Sequence, residues 1–324
     1  ISRFLKYTKV DTQAACDAET TPSSPGQLEL ARIVAEDLKA AGFSDVELDA
    51  QGFLFGTLHE NIPNSHPAKG KTPTIGFLSH FDTATEVSGR NVKARLVENY
   101  DGGEITYPAN PSLKLTPEIS PALKNCVGHT VITSDGTTLL GGDDKAGLSV
   151  IVEMGHHFKE NPSLPHGRIR VAIIPDEEIG VGTEKLDLKK FGVDFAYTID
   201  GGETGLIDVE SFNGFMGKIE VEGCAAFPGY GKGQYTNAAQ VLSRFVAAMP
   251  AERWPQNCDG RQPIWWVERM EGTTSKASTA IYLRDFDLEG IEEAKGILES
   301  IRKDVMKEFP KAKISIDINE TYRN

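Results

Sequence analysis

Cysteine is scarce. The four in 324 residues, Cys16, Cys126, Cys224 and Cys258, are far apart and form no C-x-x-C pair, which excludes a disulfide framework and a structural zinc knuckle and leaves reduced thiols in a cytoplasmic protein as the expectation. Long apolar runs are missing too: none approaches the roughly 20 residues that cross a bilayer, and no signal-peptide pattern opens the chain, so no membrane partner is expected. Runs of Lys or Arg are absent, and the formal charge of -13 argues against nucleic acid or an anionic membrane as the main partner. There is no initiating Met; the chain starts at Ile1, so trimming at the start is expected. What is present is ordinary globular composition, 39% hydrophobic and 25% charged, in a chain long enough for two domains with real cores.

Ser24-Pro-Gly-Gln27 reads as a capping box with Pro at the first helical position, followed by Leu28, Leu30, Ile33, Val34 and Leu38 at helical spacing and stopped by Gly42. Val46 to Leu58 reads as two strands joined around Gln51-Gly52. Short apolar strands are predicted at 74–78, 168–174 and 195–199, with a helix over 146–158. Alternation of this kind predicts an α/β fold with a mostly parallel sheet flanked by helices. The polar stretch from Glu86 to about Gly128 reads as an insertion over one face of that sheet. After Phe212 the order becomes β-α-β-β-α-β, the split βαβ arrangement of a small ferredoxin-like α+β domain. The expected division is therefore 1–212 and 213–324.

Four polar sites each follow an apolar run: His80-Phe-Asp82, Gly141-Gly-Asp-Asp144, Pro175-Asp-Glu-Glu178 and Tyr197-Thr-Ile-Asp200. Taken singly, each has a plain structural explanation. An Asp at a glycine-loosened turn ordinarily caps a helix, a His after a strand is ordinarily structural, and paired Glu residues ordinarily lie on a solvated turn. Together they lie at strand ends, where open α/β sheets bind ligands. His80, Asp143, Glu178 and Asp200 supply one imidazole and three carboxylates, a set that suits zinc, manganese or cobalt, and a carboxylate such as Asp143 can bridge two ions. Glu177 and Glu178 are adjacent, so one can bind metal while its neighbour takes a proton from the nucleophilic water. Asp82, two residues beyond His80, is placed to hold the imidazole N–H.

These stretches, with Val97-Glu-Asn-Tyr-Asp-Gly-Gly103, Thr138-Leu-Leu140, Pro165-His-Gly167 and Arg284-Asp-Phe-Asp287, resemble the peptidase T family, tripeptide aminopeptidases within the dinuclear zinc aminopeptidase and deacylase group. The resemblance runs through essentially the whole chain, the insertion after His80 included. It implies a zinc-peptidase catalytic domain over 1–212 and, over 213–324, an inserted small domain through which a homodimer can form. It implies two Zn²⁺ per subunit, with Mn²⁺ or Co²⁺ as substitutes, and a short peptide as the substrate. Residue by residue, His80 and Asp200 are expected on one zinc, Asp143 bridging, Glu178 on the other, Glu177 as general base and Asp82 orienting His80. A cis peptide is implied between Asp143 and Asp144. Arg284 is implied as the partner of the peptide's C-terminal carboxylate, and Asn237 as a lesser substrate contact.

The chain departs from the family's pattern at two places. Ala226-Phe227-Pro228-Gly229 carries Phe where the family has an oxyanion-stabilising His, and Phe cannot donate a hydrogen bond. The chain also stops at Tyr322-Arg-Asn324, where the family returns to the catalytic domain with its last zinc-binding His and a glycine-rich loop. None of the seven His here matches that ligand, so a shortened chain with uncovered apolar surface is expected. The main expectation is a metallo-aminopeptidase that releases the N-terminal residue of tripeptides, impaired by these two departures. Its rivals are a metal-dependent deacylase or carboxypeptidase and a non-catalytic peptide-binding remnant.

Overall fold

The computed structural model describes residues 1–202 and 205–324. The chain divides into two compact units, Ile1–Thr204 and Gly205–Asn324. The division falls ahead of the 212/213 boundary drawn from sequence because residues just before 213 pack within the second unit. Ser211 N–H donates to Asn324, Arg261 pairs with Glu210, and the Phe212 ring lies against Phe286 and Tyr322.

The first unit is built on a five-stranded sheet. Its strands are β1 (Ser44–Leu48), β2 (Leu54–Leu58), β3 (Ile75–His80), β8 (Ile169–Ile174) and β9 (Phe195–Thr198), in the order β1-β2-β8-β3-β9. The strands that carry the polar sites, β8, β3 and β9, run parallel. The β1–β2 hairpin adds an antiparallel margin, β2 pairing antiparallel with β8. Every residue of β2 and β8 is buried, as expected for strands covered on both faces. Helices α1 (Ser2–Tyr7), α2 (Pro25–Ala40) and α3 (Gly142–Glu160) contribute Tyr7, Leu30, Val34, Leu38, Leu148, Ile151 and Val152 to the core on one face. On the other face Phe53, Phe55, Ala172 and Ile174 pack with Phe191, which ends the short helix α5 (Leu188–Phe191) that follows α4 (Gly182–Lys185).

The insertion after His80 folds as two small ribbons, β4 (Arg95–Val97) with β7 (Val131–Thr133) and β5 (Ile105–Thr106) with β6 (Lys114–Leu115). Tyr100, Ile105 and Leu123 form a core of its own.

The second unit has β10 (Asn213–Glu222), α6 (Ala238–Ala247), β11 (Ile264–Gly272), β12 (Lys276–Asp285), α7 (Leu288–Glu308) and β13 (Lys313–Tyr322). Its antiparallel sheet has the order β11-β12-β10-β13, the ferredoxin-like arrangement that the element order predicts. Alternation of burial along β12 and along β10 from Phe215 on turns Phe215, Ile219, Ile281 and Leu283 toward Val241, Phe245, Leu298 and Ile301 of the helices.

Two positions on α3 separate packing from surface. Leu148 is fully buried while Val150 is 55% exposed. Leu148→Ala should lower the unfolding free energy of the first unit by about 2–5 kcal/mol, and Val150→Ala should stay within about 0.5 kcal/mol. Urea denaturation of both variants checks the contrast.

Candidate metal centre

Three of the four polar sites follow the ends of the parallel strands β3, β8 and β9, but Asp143 does not lie at a strand end as the sequence suggests: it stands in the first turn of α3. β3 ends at His80, whose side chain is 1% exposed. Its Nε2 lies 2.9 Å from Asp143 Oδ1, 3.7 Å from Asp200 Oδ2 and 3.9 Å from Glu177 Oε2. Two triads have ligand atoms all within 4.8 Å of one another: His80, Glu177 and Asp200, and His80, Asp143 and Glu178. One imidazole nitrogen can serve a single ion, so the two triads compete for His80. All four ligands expected from sequence, with the expected base, thus converge in space.

On its other edge, His80 Nδ1 is 3.1 Å from the carbonyl oxygen of Asp82 and 3.3 Å from its carboxylate. Donation from Nδ1 to either oxygen leaves Nε2 free to face the carboxylates. Asp82 is itself fully buried, and its two carboxylate oxygens accept the backbone N–H of Glu177 and of Glu178, each at 3.0 Å. One side chain therefore fixes the imidazole and the glutamate turn together.

Asp143 and Asp144 point to different surroundings. Their peptide bond is cis, Asp143 stands exposed, and Asp144 is 2% exposed. The Asp144 carboxylate accepts from Ser79 Oγ, from Gly147 N–H at 3.0 Å and from His80 N–H at 3.3 Å. A side chain at Gly147 is excluded, since its Cβ would meet the Ile199 carbonyl oxygen at 2.0 Å and Asp144 Oδ1 at 2.4 Å. Lys145 is buried as well, and its ammonium donates to the Val10 carbonyl at 2.8 Å. Burial lowers its pKa to about 8. Neither Asp144 nor Lys145 has a site role that the sequence pattern reveals. The only signal for Asp144 was a second carboxylate three residues before a glycine.

Arg284 and Asn237, the substrate contacts the resemblance implies, both belong to the second unit. The Arg284 guanidinium lies over the Phe212 and Trp266 rings, 4.5 and 4.7 Å from their centroids, and its Nε is buried without a hydrogen-bond partner among the described residues. Asn237 caps α6, its side-chain oxygen accepting from Ala239 and Gln240 N–H. Phe227 is 73% exposed beside Tyr230.

The electrostatics fit a cation. Burial raises the pKa of Glu178 to about 7, with the Asp143 charge adding to it. Burial and the neighbouring carboxylates likewise raise Glu177 and Asp200. Burial also raises Asp144 to about 7. Burial acts to lower the pKa of His80, but the Asp82 carboxylate, followed by Asp144 and Glu177, raises it to about 10. So many acids around one imidazole resist ionising together, and a divalent cation is the group that removes this resistance. The mixed nitrogen and carboxylate donor set suits a first-row divalent metal.

No family model matches the chain. Curated relatives do. It is 40% identical over 324 residues to peptidase T of Bacillus licheniformis, covering 100% of this chain and 78% of that protein. The chain belongs to the peptidase T family. Peptidase T of Geobacillus thermodenitrificans is also 40% identical, with 77% of its length covered. Among solved structures, a tripeptidase from Staphylococcus aureus aligns with a TM-score of 0.72 at 22% identity over 99% of this chain and 75% of that one. A dinuclear metal-binding peptidase of the M20 family from Bacillus subtilis aligns at a TM-score of 0.58 and 10% identity, over 99% and 74%. The peptidase T fold is thus shared with metal-binding peptidases. Among the described residues no helix is long and apolar enough to cross a membrane.

Cation binding needs a neutral imidazole and ionised carboxylates. His80, with a pKa near 10, holds its proton at pH 7, and Glu178, with a pKa near 7, holds one about half the time. Titrating Zn²⁺ or Mn²⁺ into the protein at pH 7 should release about one proton or more per chain, and affinity should fall as pH is lowered. Calorimetry in buffers of different ionisation enthalpy measures the release; heats independent of the buffer would contradict the ligand assignment.

Proposed function

We propose that this chain is a metal-dependent aminopeptidase that releases the N-terminal residue of tripeptides, with His80, Asp143, Glu178 and Asp200 holding two divalent cations, zinc by preference. The observation that carries the reading is the convergence of one buried imidazole and the acidic groups Asp143, Glu177, Glu178 and Asp200 in a chain of the peptidase T family. Bound there, a pair of divalent cations supplies Lewis acidity, polarising the scissile carbonyl and lowering the pKa of water.

The chain's own groups supply the rest. Glu177 is half-buried and its pKa is raised by burial and by its acidic neighbours, which brings a carboxylate toward neutrality, where it can both take and return a proton. It accepts the proton of the attacking water as the C–O bond forms, and passes it to the leaving nitrogen as the C–N bond breaks. Asp82 keeps His80 Nε2 and the Glu177 backbone in one frame through this cycle. Arg284, its guanidinium lying against aromatic rings and its N–H edge left to donate in the plane, is proposed to take the peptide's terminal carboxylate. Asn237, its oxygen already capping α6, is proposed as a lesser contact. A cytoplasmic location and a homodimer through the second unit belong to the same proposal.

Glu177→Gln should retain bound metal while kcat on a tripeptide falls by about 10²–10⁴-fold. Chelation should abolish turnover, and readdition of Zn²⁺, Mn²⁺ or Co²⁺ should restore it. A panel of tripeptides, N-acyl amino acids and C-terminally trimmed products read by mass spectrometry checks the substrate class. Preference for N-acyl substrates would replace this reading with deacylation.

A further inference from the structure

The residue before the glutamate pair is tied to a distant part of the chain in a way the proposed chemistry does not use. Asp176 is fully buried, yet no Lys, Arg or His pairs with it among the described residues. Its carboxylate accepts from Ser23 N–H at 2.8 Å, from Ser23 Oγ and from Gln27 Nε2 at 2.7 Å. In return its backbone N–H donates to Gln27 Oε1 at 3.1 Å. A buried carboxylate is costly unless hydrogen-bonded, and here neutral donors from Ser23, just before α2, and from Gln27 in its first turn satisfy it. This corrects the capping-box expectation: Gln27 does not reach back to the Ser24 N–H, and the Ser24 side chain makes no cap bond, because Gln27 is engaged with Asp176.

The backbone gives a second, independent sign. Asp176 has φ +57°, in the left-handed region where glycine is the usual occupant. A turn needing only that conformation would be served best by glycine, so the carboxylate has a use beyond the turn. The turn is also closed tightly behind it: Val181 and Gly182 N–H both donate to the Asp176 carbonyl. A Cβ at Gly182 would meet the Pro175 carbonyl oxygen at 1.9 Å. Beyond Asp176, the next two N–H groups, of Glu177 and Glu178, go to Asp82. Three successive residues are thus pinned by acceptors on two separate segments.

We infer that Asp176, held by Ser23 and Gln27, is a positioning residue that sets the direction in which Glu177 and Glu178 leave β8, coupling the start of α2 to metal affinity. The inference rests on the metal-site reading above. Its test is titration of Co²⁺ into the purified protein, followed by visible absorption and with folding monitored by circular dichroism. Asp176→Gly keeps the left-handed turn accessible but removes the carboxylate; Ser23→Ala combined with Gln27→Ala removes two donors from outside the site. Both should stay folded, bind Co²⁺ about 10–100-fold more weakly and change the absorption band. If Asp176→Gly does not fold, the double variant decides by the same readouts. Variants that lose thermal stability but keep parental Co²⁺ affinity and spectrum would overturn the inference and leave the metal-site reading intact. A parent protein that binds no Co²⁺ would overturn both.

Discussion

Crowded like charge around one buried imidazole is the constraint on which this molecule depends. Asp143, Asp200 and Glu177 lie within 4 Å of His80 Nε2, and Glu178 joins the same cluster. Side chains so arranged repel one another unless protons or cations intervene. A fold that holds them this way must use rigid supports. Here the support is β8, buried along its whole length, with β3 paired parallel beside it and α3 packed against the sheet through the core of Leu148, Val171 and Ile173.

Three aspartates that no ligand assignment includes supply the local stiffness. Asp82 takes two N–H groups of the glutamate turn, Asp144 joins Ser79, His80 and Gly147, and Asp176 ties that turn to Ser23 and Gln27. Each is a buried acceptor met by several donors, backbone N–H, hydroxyl, amide or the His80 imidazole, and such networks are strong only when every partner is present. The site is therefore framed from four places in the chain, and loosening any one of them disturbs the others.

The sequence is legible where local periodicity and site chemistry coincide. Apolar runs ending in His80, Glu177-Glu178 and Asp200 place these residues at strand ends before any coordinates exist, and the β-α-β-β-α-β order after Phe212 identifies the second unit's topology. The framing aspartates are not legible in this way, because their partners are remote: Asp144 meets Ser79 across 65 positions and Asp176 meets Ser23 across 153. Gln27 misled for the same reason, its spacing from Ser24 fitting a local cap while its amide serves a distant carboxylate. Residues 205–212 were drawn into the first unit because nothing local reveals that they pack with Phe286 and Asn324.

Anomalous diffraction at the metal absorption edges of crystals grown with Zn²⁺ or Mn²⁺ tests the central claim most directly. Two peaks about 3.5–4 Å apart are expected, with His80, Asp143, Glu178 and Asp200 as their ligands. Peaks coordinated by other residues, or no peak near His80 at saturating metal, would contradict it.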